Sequence, residues 1–410
     1  MALNAHILKC LNMENAKALI EPSMDDLCNA LEDDSVLFIA AENPIGLRYL
    51  NGSKYLLDGS YASEFDNGLM TKQEWIAFIL QAFAKCGLDR DEDNIRFFYP
   101  YPDYEITSEI FTDESVDFMG YGKTGYNFWD MKIDLYNENV LASKLSKEGM
   151  MSSLANSFLI MLSPSKAPLD FYYGKLSDNR DKRFAIGTRI VYRGVDKVVE
   201  KFPLYEAARM HIQELEKKAF EFSENSSIQV LTPFSVNSGV ASYEFINAPT
   251  LKNLIKKSDN PCELIYEFYD LLFEQENRYK NLDLIFDNVF VDSGEFIIID
   301  GEWIFEKELP NEFIIWIGIN DLNMPEVTKE VHKHYGISEE DDAKYRQWAD
   351  QFAREYVGCA EAEKRVKYLH KVPFKDIADG VAKYDAGARL EEPAKRSFAG
   401  RVIHKLTSKT

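Results

Sequence analysis

Asp283 stands five positions before Asn288 in the segment Asp283-Leu284-Ile285-Phe286-Asp287-Asn288, a pairing suited to metal-assisted transfer onto a hydroxyl. A carboxylate at the start of such a loop can accept or orient the proton of the attacking hydroxyl. An amide oxygen at its end can ligate magnesium. Further on, the apolar run Phe296-Ile297-Ile298-Ile299 ends at Asp300-Gly301, where a strand end would present a second carboxylate to the same metal. Taken singly, an Asp-x-x-x-x-Asn spacing is common in loops whose Asp is merely hydrogen-bonded, and an apolar strand ending in Asp-Gly is an ordinary hairpin exit. The order of the pieces and the elements around them carry the inference.

Residues 184–192 and 196–201 read as strands, 205–222 as one long helix and 228–231 as another strand. Residues 289–291 and 295–299 read as a hairpin through Asp292-Ser293-Gly294, with helices dominating elsewhere to the end. Upstream, the apolar run 35–41 reads as a buried strand followed by the turn-prone Glu42-Asn43-Pro44-Ile45-Gly46. Thr71-Lys72-Gln73-Glu74 is a capping box that opens an amphipathic helix to about Lys85, closed by Gly87. Residues 95–99, ended by Pro100 and Pro102, and residues 157–162 are further strand candidates. The stretch Ser163-Pro164-Ser165-Lys166-Ala167-Pro168 has two prolines and no apolar periodicity, which places a linker at 163–169 between two domains. The predicted class is α/β plus α+β.

The spacing of Asp283, Asn288 and Asp300 resembles that of a protein-kinase-like phosphotransferase of the aminoglycoside and choline kinase type, with a two-lobed domain over about 170–390. The resemblance implies ATP and Mg2+ as cofactors, Asp283 as the catalytic base, and Asn288 and Asp300 as metal ligands. It also implies that Lys201, ending Val198-Val199-Glu200-Lys201, contacts ATP phosphates and is held by Glu206, with Glu214 on the same helix as the fallback partner. Tyr243-Glu244-Phe245-Ile246-Asn247-Ala248 looks like the hinge, where the backbone groups of Glu244 and Ile246 would face the adenine edge, and Leu251 and Leu254 begin the helical lobe. The match to the pattern is incomplete. Asn281 stands at the usual loop His or Asn, Ile285 replaces the usual loop lysine, and no G-x-G-x-x-G covers the first two strands, where Asp178-Asn179-Arg180 and Gly187-Thr188 stand instead.

Residues 281–300, continued by Gly301-Glu302-Trp303 and 310–316, are similar to kinase-like regions of bacterial multidomain proteins of surface-polysaccharide biosynthesis, in which a methyltransferase region comes first. The strings 38–49, 98–104 and 156–159 resemble the later strands of class I S-adenosylmethionine methyltransferases, a likeness over about 1–162. Cofactor binding in that fold needs a first strand ending in a Gly-rich turn and then an acidic residue for the ribose, and neither precedes Ser35. The expectation is therefore a partial Rossmann-like, truncated methyltransferase region that does not bind S-adenosylmethionine alone and gives Glu42 and Asn43 no assigned role. It would act as a structural or docking module, or be completed by a complementing methyltransferase chain. The family context further implies a sugar hydroxyl or glycan end as acceptor, and, as the alternative to an active kinase, a pseudoenzyme scaffold that holds a glycosyltransferase.

The chain carries 68 acidic against 47 basic residues, a net charge of −21, which argues against nucleic acid as partner because phosphate affinity comes from clustered Lys and Arg. Cys10, Cys28, Cys86, Cys262 and Cys359 show no C-x-x-C spacing and read as reduced thiols. Residues 1–12 lack the marks of a signal peptide and no apolar run reaches a membrane span, so a cytoplasmic location is expected. Gly120-Tyr121-Gly122-Lys123-Thr124 fails as a P-loop because Asp117 stands where its first Gly belongs. His332-Lys333-His334 has no Cys or further His nearby in sequence and reads as exposed helix or loop. The basic tail 391–410, with Phe398, Val402 and Leu406 at helical spacing, is a frayed end or a peripheral contact with an anionic membrane or partner helix.

Overall fold

The computed structural model describes residues 3, 5–32, 34–53, 68–121, 136–167, 169–178 and 180–357. Residues 122–124, Cys359 and the basic tail lie outside the described residues. Two compact units result, one from residues up to 178 with 187–196, the other from 180–186 with 197–357.

The first unit is a mixed sheet with short helices. Its strands are β1 (Lys17–Ile20), β2 (Leu37–Glu42), β3 (Ile95–Tyr101), β4 (Glu109–Thr112), β5 (Ser157–Leu162), β6 (Phe171–Leu176) and β7 (Ile186–Arg193), in the order β1-β2-β5-β3-β4-β6-β7. Its helices are α1 (Ala5–Cys10), α2 (Met24–Ala30), α3 (Leu47–Leu50), α4 (Lys72–Lys85), α5 (Glu138–Lys147) and α6 (Met151–Leu154). The continuous apolar runs of β2 and β5 are buried at every position, as both-face coverage requires. The N-terminus of α4 is held where the capping box places it, with the Thr71 N–H donating to Glu74 Oε2 at 2.8 Å.

β1 and β2 pair in parallel, whereas β2 with β5, β5 with β3, β3 with β4, β4 with β6 and β6 with β7 all pair antiparallel. The sheet is therefore mixed rather than the mostly parallel one of a Rossmann fold. The short link from β3 to β4 explains part of this, because parallel neighbours need a long crossover. β3 runs on through Pro100, which sits opposite Ile110. The proline-containing 163–169 stretch joins β5 to β6, and β6 pairs with β4 through Ile110 and Gly174.

The second unit opens with an antiparallel set of β8 (Asp196–Pro203), β10 (Ser235–Asn237) and β11 (Val240–Glu244), while β9 (Gln229–Val230) lies elsewhere beside a hairpin. The expected single helix over 205–222 is broken into a 3-10 turn at Glu206–Ala208, α7 (Arg209–Gln213) and α8 (Leu215–Ser223), with Glu214 between the helices. Then follow α9 (Leu251–Lys257), α10 (Pro261–Leu272), β12 (Tyr279–Asn281), β13 (Val289–Asp292), β14 (Glu295–Ile298), β15 (Ile304–Glu306), α11 (Asn311–Leu322), α12 (Pro325–His334) and α13 (Glu339–Phe352). The hairpin of β13 and β14 closes through Ser293 and Gly294 at φ 52° and 88°, the two positive values that a tight hairpin turn of this hand needs. One apolar core, including Phe268, Tyr269, Phe286, Trp303 and Trp316, supports both the hairpin and the loop before it.

Among the described residues no helix is long and apolar enough to cross a membrane. Cys10, Cys28, Cys86 and Cys262 carry no disulfide.

Candidate functional site

Strand β12 delivers Asn281 at its end, buried, and the chain then turns through Asp283 into a single 3-10 turn at Phe286–Asn288. The turn cannot swing away, because Leu284, Ile285 and Phe286 are buried. Lys252 of α9 also pairs with Asp287 on the turn and, at 2.8 Å, with buried Asp321 on α11.

Asn281 is the joint of the site. Its Nδ2 donates to the carbonyl of Asp300 at 2.8 Å, and its Oδ1 accepts the N–H of Asp283 at 3.1 Å. Asn288 donates its Nδ2 to the carbonyl of Asp283 at 3.0 Å, which commits the amide nitrogen and leaves the oxygen for a cation. The Ile299 N–H donates to the Asn288 carbonyl at 3.0 Å, so the residue before Asp300 lies against the end of the loop.

Lys201 reaches these groups from β8, where it stands opposite Ala241. Its Nζ lies 2.9 Å from Asp300 Oδ1 and 2.8 Å from Glu302 Oε1, and 5.9 Å from the centre of the Tyr243 ring. Burial pushes the ammonium down, but the carboxylates of Asp300 and Glu302 outweigh it and hold Lys201 above its ordinary value of 10.5.

Glu302, which sequence reasoning did not single out, is the hub. Its side chain is 3 % exposed and binds Lys201 through Oε1 and Arg180 through Oε2. Burial works to raise its carboxyl, yet Arg180 and Lys201 hold it well below the ordinary 4.5. His211 of α7 stands 3.8 Å from Glu302 Oε2 against the rings of Phe184 and Trp303. Burial lowers its pKa, and neither ring nitrogen has a hydrogen-bond partner among the described residues.

The expected Lys201–Glu206 pair does not form. Glu206 lies in the 3-10 turn directly after β8, 81 % exposed, and pairs with Arg209 at 2.7 Å, while the Lys201 side chain points into the core. The fallback is also corrected, since Glu214 faces Lys218 at 3.7 Å. The signal for the true partner lay in the spacing Asp300-Gly301-Glu302, which puts two carboxylates on one turn, with the Glu302 N–H donating to Asp300 Oδ1 at 3.2 Å.

Glu244 ends β11 opposite Val198 and is exposed, and the Ile246 N–H and C=O make no hydrogen bond to any described residue. They remain open to an outside partner. Among the described residues no three His, Cys, Asp or Glu side chains lie close enough to hold a metal ion. A magnesium ion would instead take the Asn288 oxygen and Asp300, with phosphate oxygens and water completing the shell, which is how that ion is commonly held. His332 and His334 form no such group either, and His334 stacks on Tyr266 at 3.9 Å.

At the end of β2 in the first unit the polar groups are spent internally. Tyr49 Oη donates to Glu42 Oε1 at 2.7 Å, and Asn43 Nδ2 donates to the carbonyls of Ser153 and Ala155 at 2.8 and 2.7 Å. Buried Arg48 and Asp103 pair at 2.7 Å.

No protein-family model and no curated protein matches the chain. Among solved structures it is similar to the Rio2 kinase of Chaetomium thermophilum in a complex with ADP, Mg2+ and phosphoaspartate, at 14% identity over 55% of this chain and 69% of that one, with a TM-score of 0.25. A TM-score of that size carries no weight, and the chemistry is read from side-chain geometry alone.

Proposed function

We propose that residues 180–357 form a kinase-like site for ATP- and magnesium-dependent phosphoryl transfer. The carrying observation is Lys201, ion-paired with both Asp300 and Glu302 on a segment that Asn281 ties to the Asp283 loop. Buried ion networks seldom repay their desolvation as stability, so their retention in a site with an uncommitted amide oxygen favours a functional reading.

Bound magnesium would neutralise charge on the phosphates. Asn288 and Asp300 would hold that ion, Lys201 would orient the phosphates, and Asp283 would take the acceptor proton. The acceptor oxygen bonds to the γ-phosphorus of ATP while the bond to the bridging oxygen breaks and ADP leaves. The acceptor class, a sugar hydroxyl of a surface glycan, rests on the sequence resemblance.

A second reading, nucleotide binding without transfer in a scaffold, is favoured by Ile285, which is 7 % exposed and brings no charge where the resemblance puts a lysine. ADP release under Mg-ATP separates the two. Turnover by the wild type that is lost in Asp283→Asn supports transfer, and binding without turnover supports the scaffold. For the first unit we keep a structural or docking role, supported by the internal bonding of Glu42 and Asn43. Methyl transfer would need a complementing chain.

A further inference from the structure

We infer that Arg180 is the ligand of the γ-phosphate of ATP, supplying from the loop between β6 and β7 the donors that a glycine-rich loop would otherwise give; this rests on the phosphotransferase reading. Arg180 follows the strand that precedes β7 and β8 in the chain, and no glycine-rich motif accompanies it. Its side chain is 15 % exposed, turned onto Glu302 with its guanidinium 5.3 Å from the centre of the Trp303 ring. Glu302, which it pairs with, is joined through Lys201 to Asp300, and the charges of Asp300 and Asp283 also reach the guanidinium, so it faces the groups proposed for the metal and the acceptor proton.

A guanidinium has five N–H donors in a planar fork. Arg180 gives one nitrogen, Nη1, to Glu302 and makes no other hydrogen bond to a described residue. The remaining donors suit the oxygens of a phosphate, which arginine binds in bidentate fashion. Lys252 is taken up by Asp287 and Asp321, and the Lys201 ammonium, already shared between Asp300 and Glu302, is a point charge without a planar fork, so the guanidinium adds the bidentate contact that Lys201 cannot give. The position near Asp283 selects the terminal phosphate, because that carboxylate must face the acceptor hydroxyl attacking it.

Calorimetry of the full chain with Mg-ATP and with Mg-ADP tests this, using Arg180→Ala, Arg180→Gln and Arg180→Lys. Thermal melts identify which variants fold, and Arg180→Gln keeps a donor for Glu302. Loss of charge-assisted bonds to the γ-phosphate should weaken Mg-ATP on the order of 10- to 100-fold in Arg180→Ala and Arg180→Gln. Mg-ADP should stay within about twofold, and Arg180→Lys should fall between. Equal losses for both nucleotides, no loss, or tighter ATP binding, as a plug held by Glu302 would give, overturns the inference and leaves the phosphotransferase reading standing. A wild type that binds neither nucleotide overturns both.

Discussion

Lys201 and Glu302 meet at 2.8 Å, with side chains 9 % and 3 % exposed. The lysine is therefore held by the same short turn that carries Asp300, and not by the helix following its strand. Lys201 and the carboxylate proposed to hold magnesium are coupled through three consecutive residues, Asp300-Gly301-Glu302.

Removing that hub should be costly. Glu302→Ala leaves Lys201 and Arg180 without their shared counter-charge, and breaking a buried ion pair from one side costs about 3–5 kcal/mol. Urea unfolding at neutral pH should show that loss, whereas Glu206→Ala should leave the midpoint within experimental scatter because its carboxylate is in solvent.

The same carboxylate should shape the acid limb of stability. A group held below its ordinary 4.5 in the folded chain stabilises above that pH, and the contribution fades as pH falls toward the lowered folded value. Unfolding midpoints measured downward from pH 4.5 should drop more steeply for the wild type than for Glu302→Gln, which has no proton to take up there.

Glu21 gives the opposite sign. Burial pushes its carboxyl up to about 8, against an ordinary 4.5, so the folded state holds a proton that the unfolded chain releases. Stability should fall as pH rises between those values, and Glu21→Gln, whose amide oxygen can still accept the Glu42 N–H, should flatten that slope.

Gly318 sets how closely α11 approaches the loop. A Cβ there would collide with the Tyr269 hydroxyl and lie 3.0 Å from the Leu284 carbonyl. Gly318→Ala should therefore destabilise by about 1–3 kcal/mol through overpacking, although alanine favours an exposed helix by about 1 kcal/mol. Chemical denaturation reads the sign directly.

Much of this was legible before any coordinates. The hairpin of β13 and β14 announced itself through Asp292-Ser293-Gly294, and the loop through the spacing of Asp283 and Asn288, because turn chemistry and short-range spacing are local. The Lys201 pairing was not, since a lysine on a strand can reach any carboxylate the fold brings near, and the family resemblance pointed to Glu206. Arg180 was equally hidden, and its loop was read only for the glycines it lacks. The break at Glu214 and the mixed pairing of the first sheet likewise depend on tertiary packing rather than on apolar period.

The central claim is met most directly by calorimetric titration of the purified chain with Mg-ATP, with and without EDTA, alongside Asp300→Ala. The account requires saturable binding that EDTA weakens, and at least a tenfold loss in Asp300→Ala, about 1.4 kcal/mol. No heat of binding in the wild type, or equal affinity in Asp300→Ala, would contradict it.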